Sequence, residues 1–261
     1  MLESKVLKKL RAGEKVLCTK INFKDPGIIE MVGLIGFDCA WFCREHLWFN
    51  DETLANMVLA ARSTGMDSMV RIERDAYPSA IKPLEMGAKG IMVPHVATAG
   101  QARKIVRAMR FDPIGRRGVD GVNADSGWMS IEFKDYLKFS NRETFLVLQI
   151  EDPEAIDNIE EIASVPGYDI LFVGPGDLST SMGIPGDIDN KKIWSVIEKV
   201  GKMANKYNKF AGTVAVSPKW AKKLLDLGYL FLSAGADIVF LRESFLELKS
   251  QYEGLGFLKQ T

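Results

Sequence analysis

The sequence predicts an α/β fold: one (β/α)8 TIM barrel spanning residues 1–261, with an extra N-terminal helix. Three observations lead there. Eight apolar runs of strand length alternate with helix-period segments along the whole 261-residue chain. The helical segments between them begin and end with recognisable capping chemistry. Polar residues suited to catalysis fall at the C-terminal ends of several runs, the face on which barrels carry their chemistry. An open doubly wound sheet is the alternative if the strand count differs.

The elements follow in order. Residues 1–10 form a charged amphipathic helix rather than the apolar segment of a signal peptide, and should lie across the barrel base. Strands are expected at 16–21, 37–42, 68–72, 90–93, 145–150, 170–173, 209–214 and 229–233. Asp25-Pro26, Asp152-Pro153 and Ser217-Pro218 each place a capping oxygen before a proline at the first helical position. Asn50 and Thr98 are further caps, and Gly13, Gly65, Gly87 and Gly228 sit where helices should stop. The rhythm breaks once, at 111–142, a stretch rich in Gly, Asp and Arg between the fourth and fifth strands. A connection that long inside a compact domain is usually functional or an interaction element. Following a strand, it is expected on the active face.

Composition narrows the function. Lys+Arg and Asp+Glu balance at 34 each, so no global field favours nucleic acid or a membrane surface. No apolar run approaches a membrane span. Cys18, Cys39 and Cys43 lie in or beside buried strands, an odd count without metal-site spacing, which suits a reducing cytoplasm.

The most informative pair is Gln149-Ile150-Glu151, followed one strand later by Gly174-Pro175-Gly176-Asp177. Each acid ends an apolar run, where an unpaired carboxylate is costly. Two carboxylates converging from neighbouring parallel strands suit a hard divalent cation. His46 and His95 follow the second and fourth strands, and Arg71 ends the third. Each has a bland reading as well. Arg71 could pair with Glu73 or Asp75, either histidine could be packing, and Glu151 or Asp177 could cap a helix. It is the joint placement that favours an active site.

These segments resemble the metal-dependent 2-oxo acid aldolase family, which includes 4-hydroxy-2-oxoheptanedioate and 2-dehydro-3-deoxyglucarate aldolases and is related to the citrate lyase β subunit. The resemblance is carried by Gly36-Phe37-Asp38, Glu45-His46, Val70-Arg71, residues 86–94, Gly115-Arg116-Arg117-Gly118, Gln149-Ile150-Glu151 and Gly174-Pro175-Gly176-Asp177-Leu178. It implies a class II aldolase that reversibly cleaves a 4-hydroxy-2-oxo acid to pyruvate and an aldehyde. Glu151 and Asp177 would hold Mg2+, Mn2+ or Co2+. Arg71, Gln149, Gly176 and Asp177 would bind the pyruvate-like substrate. Arg71 would also support the enolate oxygen, with His46 as acid/base and Glu85 as a second acidic catalytic position. It further implies a homo-oligomer, a trimer or hexamer, whose last helix packs on a neighbour. Residues 238–248 are apolar enough for that, or for closing their own barrel.

One departure stands out. The family pattern has an aspartate three residues before the histidine, where this chain has Cys43, and Arg44 replaces a glycine. An aspartate there is expected to orient the imidazole, so Cys43→Asp is expected to raise turnover. Two other readings compete: a carbon–carbon lyase acting on a coenzyme A ester, with Arg116 and Arg117 for its phosphates, and a non-catalytic 2-oxo acid binder. A Schiff-base mechanism is disfavoured because no lysine clearly ends an inner strand, Lys20 being the nearest. Trp48, Phe49, Trp128 and Met129 suggest an apolar aldehyde pocket or interface.

Overall fold

The computed structural model describes residues 2–75, 77–255 and 257. Its eight strands are β1 (Val16–Ile21), β2 (Cys39–Cys43), β3 (Asp67–Arg71), β4 (Gly90–Val93), β5 (Phe145–Ile150), β6 (Ile170–Val173), β7 (Phe210–Val214) and β8 (Tyr229–Ala236). They pair in parallel, each with the next in sequence, and β8 returns to β1 to close the barrel. The helices that flank the strands are α1 (Lys5–Arg11), α2 (Pro26–Ile35), α3 (Asp51–Ser63), α4 (Ile81–Glu85), α5 (Ala99–Met109), α6 (Phe133–Glu143), α7 (Pro153–Asp157), α8 (Ile159–Ser164), α9 (Pro175–Ser181), α10 (Lys191–Lys206), α11 (Pro218–Asp226) and α12 (Asp237–Glu253).

Alternation along each strand divides the apolar residues into two cores. Leu146, Leu148 and Ile150 of β5 face the helices, within a large outer core that also holds Phe42, Val70, Ile91 and Leu171. Phe145 and Val147 face the barrel lumen, with Cys18, Trp41, Met69, Met92, Phe172 and Phe231. Aromatic edges fill that lumen: Trp41 meets Phe172 at 5.9 Å and Phe172 meets Phe231 at 6.2 Å between ring centroids. Gly90 makes room for this packing, since a Cβ there would lie 2.3 Å from the Phe145 ring.

Helix α1 plugs the lower end, burying Val6, Leu7 and Leu10 against the lumen core. Asp67, at the start of β3, ties it down by accepting from Ser4 Oγ at 2.6 Å and from Val6 N at 2.9 Å. The four glycines expected to stop helices all take positive φ, from 72° at Gly13 to 98° at Gly87. Asp25, Asn50, Thr98 and Ser217 cap their helices as expected, and Thr98 forms a full capping box with Gln101. Asp152 does not: its carboxylate turns to His95 instead.

The long connection is placed differently from the expectation. Helix α5 first carries the chain back down the barrel, so the connection begins at the strands' N-terminal end. Arg110 anchors it there, donating to Gly167 O at 2.9 Å, Thr144 O at 2.8 Å and Asp169 Oδ2 at 2.6 Å, beside the starts of β5 and β6. Further along, Asp125 N donates to Glu85 O at the end of α4.

Candidate active site

At the barrel's upper mouth, five strands carry the inward alternation one step past the lumen core. Arg71 follows Met69, Cys43 follows Trp41, Gln149 follows Val147, Gly174 follows Phe172 and Lys20 follows Cys18. The lumen core therefore ends in a polar layer. Above it lies a cavity of about 380 Å3, whose lining includes Lys20, Arg71, Gln149, Gly176, Asp177 and His46. Of the residues expected to form the site, Glu85 does not share this cavity. It lies beside Asn123, Ala124 and Trp128 on the outer side, where burial raises its carboxyl above the ordinary range against the pull of Arg117. Within one chain Glu85 is not part of the cluster around Arg71.

Arg71 organises the centre. It is 4 % exposed and stacks over the Trp41 ring at 5.0 Å. Its Nε and Nη2 donate to Cys43 Sγ at 3.3 and 3.1 Å, and its Nη1 to Gln149 Oε1 at 3.4 Å. Glu45 Oε2 lies 3.0 Å from Arg71 Nε, an ion-pair contact only, because that N–H points at the sulfur. Residue 43 thus serves Arg71. It also accepts from the main-chain N–H of His46 at 3.4 Å, so it touches the histidine's backbone rather than its ring. The expected role of this position in orienting the imidazole is replaced by one in holding the guanidinium. Arg44, standing where the family pattern has glycine, pairs with Asp51 at 2.7 Å and Glu73 at 3.6 Å. The His46 ring is half exposed, with Nε2 3.7 Å from Glu45 Oε2.

Glu151 is the anomaly of the site. It is 1 % exposed; Oε1 accepts from His95 N at 2.9 Å, while the buried Oε2 has no hydrogen-bond partner. Burial pushes its carboxyl up to about 7; the His95 N–H and the Arg71 charge oppose the rise, and the nearby Asp177 adds to it. An orphaned, buried carboxylate oxygen is costly unless a cation or donor meets it. The space beside it is kept open by Gly174, where a Cβ would lie 2.2 Å from Oε2 and 2.8 Å from Gln149 Nε2. These features fit a divalent ion. Among the described residues no three His, Cys, Asp or Glu side chains converge as a ready cage. A two-carboxylate site is completed by oxygens from water or ligand, the usual habit of a small hard cation.

Several partnerships within the site escape a linear reading of the chain. His95 holds a left-handed φ of 53°, which aims its N–H at Glu151, and its Nδ1 lies 3.0 Å from Asp152 Oδ2. Its Nε2 is 3.7 Å from Glu151 and 3.8 Å from Glu45. Asp152 is therefore a partner of the site, where sequence suggested a cap, and Glu45, which carries the family resemblance beside His46, lies against both Arg71 and His95. Lys20 ends an inner strand and lines the cavity, contrary to the expectation that no lysine does so. Trp48, Trp128 and Met129 are exposed and line no part of this cavity; its apolar wall is Trp41, Phe172, Ile188, Val214 and Val216.

A parallel barrel with charged side chains gathered at the C-terminal mouth has the architecture of a TIM-barrel enzyme. Similarity to known proteins narrows the class. The HpcH/HpaI aldolase/citrate lyase family model matches residues 50–244, and the chain belongs to that family, which makes it a lyase of the aldolase/citrate lyase type. It is 32% identical over 244 residues to the hydroxypyruvate/pyruvate aldolase of Delftia acidovorans, covering 93% of this chain and 90% of that protein. Among solved structures, the HpcH/HpaI aldolase from Desulfitobacterium hafniense superposes with a TM-score of 0.90 at 28% identity, covering 94% of this chain and 96% of the other. The citrate synthase SbnG superposes with a TM-score of 0.88 at 27% identity, covering 98% and 99%.

Proposed function

We propose that this protein is a divalent-metal-dependent class II aldolase that reversibly cleaves a 4-hydroxy-2-oxo acid to pyruvate and an aldehyde. The observation that carries the reading is Glu151, a buried carboxylate with one oxygen unsatisfied and a glycine-made gap beside it. Glu151 and Asp177 would hold Mg2+, Mn2+ or Co2+. Such an ion, when bound, acts as a Lewis acid that lowers the cost of negative charge on the 2-oxo oxygen.

The chain's own residues supply the rest. Arg71, fixed by Cys43, Gln149 and Trp41, presents a pre-oriented cation to the developing enolate. The N–H groups of Gly176 and Asp177, in the unpaired first turn of α9, take the substrate carboxylate. Gln149 steadies Arg71 and the ligand sphere. His46, on the cavity wall with a half-exposed ring, moves the proton of the C4 hydroxyl during carbon–carbon cleavage, directly or through water. Glu85 is given no step within its own subunit.

A homo-oligomer, trimeric or hexameric, is supported by α12, where among the described residues only Asp237 is buried and Phe240, Phe245 and Leu246 face outward. Among the described residues no helix is long and apolar enough to cross a membrane, and a cytoplasmic location fits the three free cysteines. The coenzyme A reading loses its basic residues: Arg117 is buried against Asp125 and Arg116 pairs with Asp112, both in the connection at the other end.

The test is a coupled pyruvate-release assay on a panel of 4-hydroxy-2-oxo acids, with Mn2+ and after chelation. Metal-dependent release that is lost in Glu151→Gln supports the reading. Binding of pyruvate and Mn2+ without release from any substrate would leave the non-catalytic binder in its place.

A further inference from the structure

The chain balances its acids and bases overall, but residues 99–117 do not. That stretch holds Arg103, Lys104, Arg107, Arg110, Arg116 and Arg117 against a single acid, Asp112. Two of these bases are engaged internally, Arg110 by Asp169 and Arg117 by Asp125. Arg103 and Arg107 stand one turn apart on α5, and Arg116 stands on the connection that follows. These three line one surface cleft of about 380 Å3. Among the described residues Arg103 and Arg107 make no ion pair, and Arg116 meets only Asp112, in a largely exposed contact of little strength. A base in the last turn of α5 would complement the helix dipole, which accounts for Arg107 but not for its two companions. The main chain fixes the gathering. Arg116 N donates to Arg107 O at 2.6 Å, and Gly115 lets the connection lie against the helix end, since a Cβ there would be 2.3 Å from Arg110 O. Val106, Ile114 and Val165 add an apolar lining.

Like charges held together with so little counter-charge favour the arrival of an anion. We infer that this cleft binds an organic polyphosphate of nucleoside diphosphate size, with its phosphates on Arg103, Arg107 and Arg116 and its organic part against Val106, Ile114 and Val165. Guanidinium groups suit phosphoryl oxygens because their planar fork meets two of them at once. The cleft has the volume of a small-molecule site. Its apolar lining is surface that an inorganic phosphate would leave uncovered. The cleft lies at the opposite end of the barrel from Arg71 and Glu151, because Arg110, which ends α5, is anchored beside the starts of β5 and β6. Its ligand is therefore not the molecule cleaved at the mouth, and the inference stands apart from the aldolase reading.

The experiment is calorimetric titration of the full chain with ADP, AMP and inorganic pyrophosphate, with chelator present so that no metal at the mouth recruits phosphate. ADP is expected to bind about tenfold or more tightly than AMP, as one further charge-assisted contact allows, and more tightly than pyrophosphate, which has no organic part. Arg107→Gln and Arg116→Gln are each expected to weaken ADP by about tenfold or more. Lys104→Gln removes the same charge from α5 outside the cleft and is expected to leave ADP binding nearly unchanged. All three replace exposed side chains, and thermal melts matching the wild type show that the fold is kept. Absence of ADP binding, an equal loss in Lys104→Gln, or ADP no tighter than pyrophosphate overturns the assignment. So does ADP binding that is lost in Arg71→Gln and kept in Arg107→Gln, which would place it at the mouth. Single-stranded RNA that binds more tightly than ADP, and more so with length, also overturns it by making the surface a nucleic-acid contact.

Discussion

Replacing Glu151 by glutamine should remove a specific pH dependence from the stability of the metal-free protein. In the fold its carboxyl is raised from 4.5 to about 7, chiefly by burial. A raised carboxyl favours the neutral form, so its contribution is fully present below the unfolded value and is lost as pH rises through about 7. The shift therefore makes the metal-free wild type less stable at pH 8 than at pH 5 by roughly 2–3 kcal/mol through this one group. The assay is urea unfolding at both pH values, with chelator, for wild type and Glu151→Gln. The amide's own burial cost appears at both pH values and cancels in the comparison. Adding Mn2+ at pH 8 should restore the wild type by mass action and leave the variant nearly unmoved. An identical pH difference in the two proteins would refute the argument, because the orphaned oxygen would then not be the group that titrates.

Two other substitutions probe the same layer. Gly174→Ala puts a methyl group 2.2 Å from Glu151 Oε2 and 2.8 Å from Gln149 Nε2, and should cost about 1–3 kcal/mol of stability and weaken Mn2+ binding at least tenfold; a thermal melt and a Mn2+ titration check both, and unchanged Mn2+ affinity would move the ion elsewhere. Cys43→Asp should change turnover through Arg71 while leaving the pH–rate limb assigned to His46 in place, because the side chain at 43 meets the guanidinium and not the imidazole; a displaced limb would restore the imidazole-orienting role.

The barrel was legible because a parallel sheet buried on both faces writes its strands as unbroken apolar runs, as at 145–150 and 170–173. Only β8 runs well past its expected end, to Ala236, because Ala234-Gly235-Ala236 carries no apolar signal. The placement of Arg71 and Gln149 at the mouth was legible for a related reason: a polar residue closing such a run stands there, and its inward direction follows from alternation. Partner choice was not legible. Whether Asp152 caps α7 or faces His95 depends on the left-handed turn at residue 95, and whether residue 43 serves a histidine or an arginine depends on how β2 registers against β3. The long connection was misplaced because its position relative to the site depends on α5 returning down the barrel before it begins. Glu85 lies outside the cluster because α4 likewise runs back toward the strands' N-terminal ends.

The register of β2 on β3 also gives the departure at residue 43 a physical meaning. Cys43 pairs directly with Arg71, so whatever stands at 43 shares the arginine's charge. The aspartate of the family pattern would add a carboxylate there, in addition to Glu45. A sulfur acceptor offers two longer, weaker contacts and leaves Glu45 as the only carboxylate in ion-pair contact with the guanidinium among the described residues. Less of the Arg71 charge is then compensated by the protein, and more is directed at an oxygen arriving from the cavity. The guanidinium therefore carries less compensating negative charge than an aspartate at residue 43 would supply, which strengthens its pull on an anionic oxygen of a ligand.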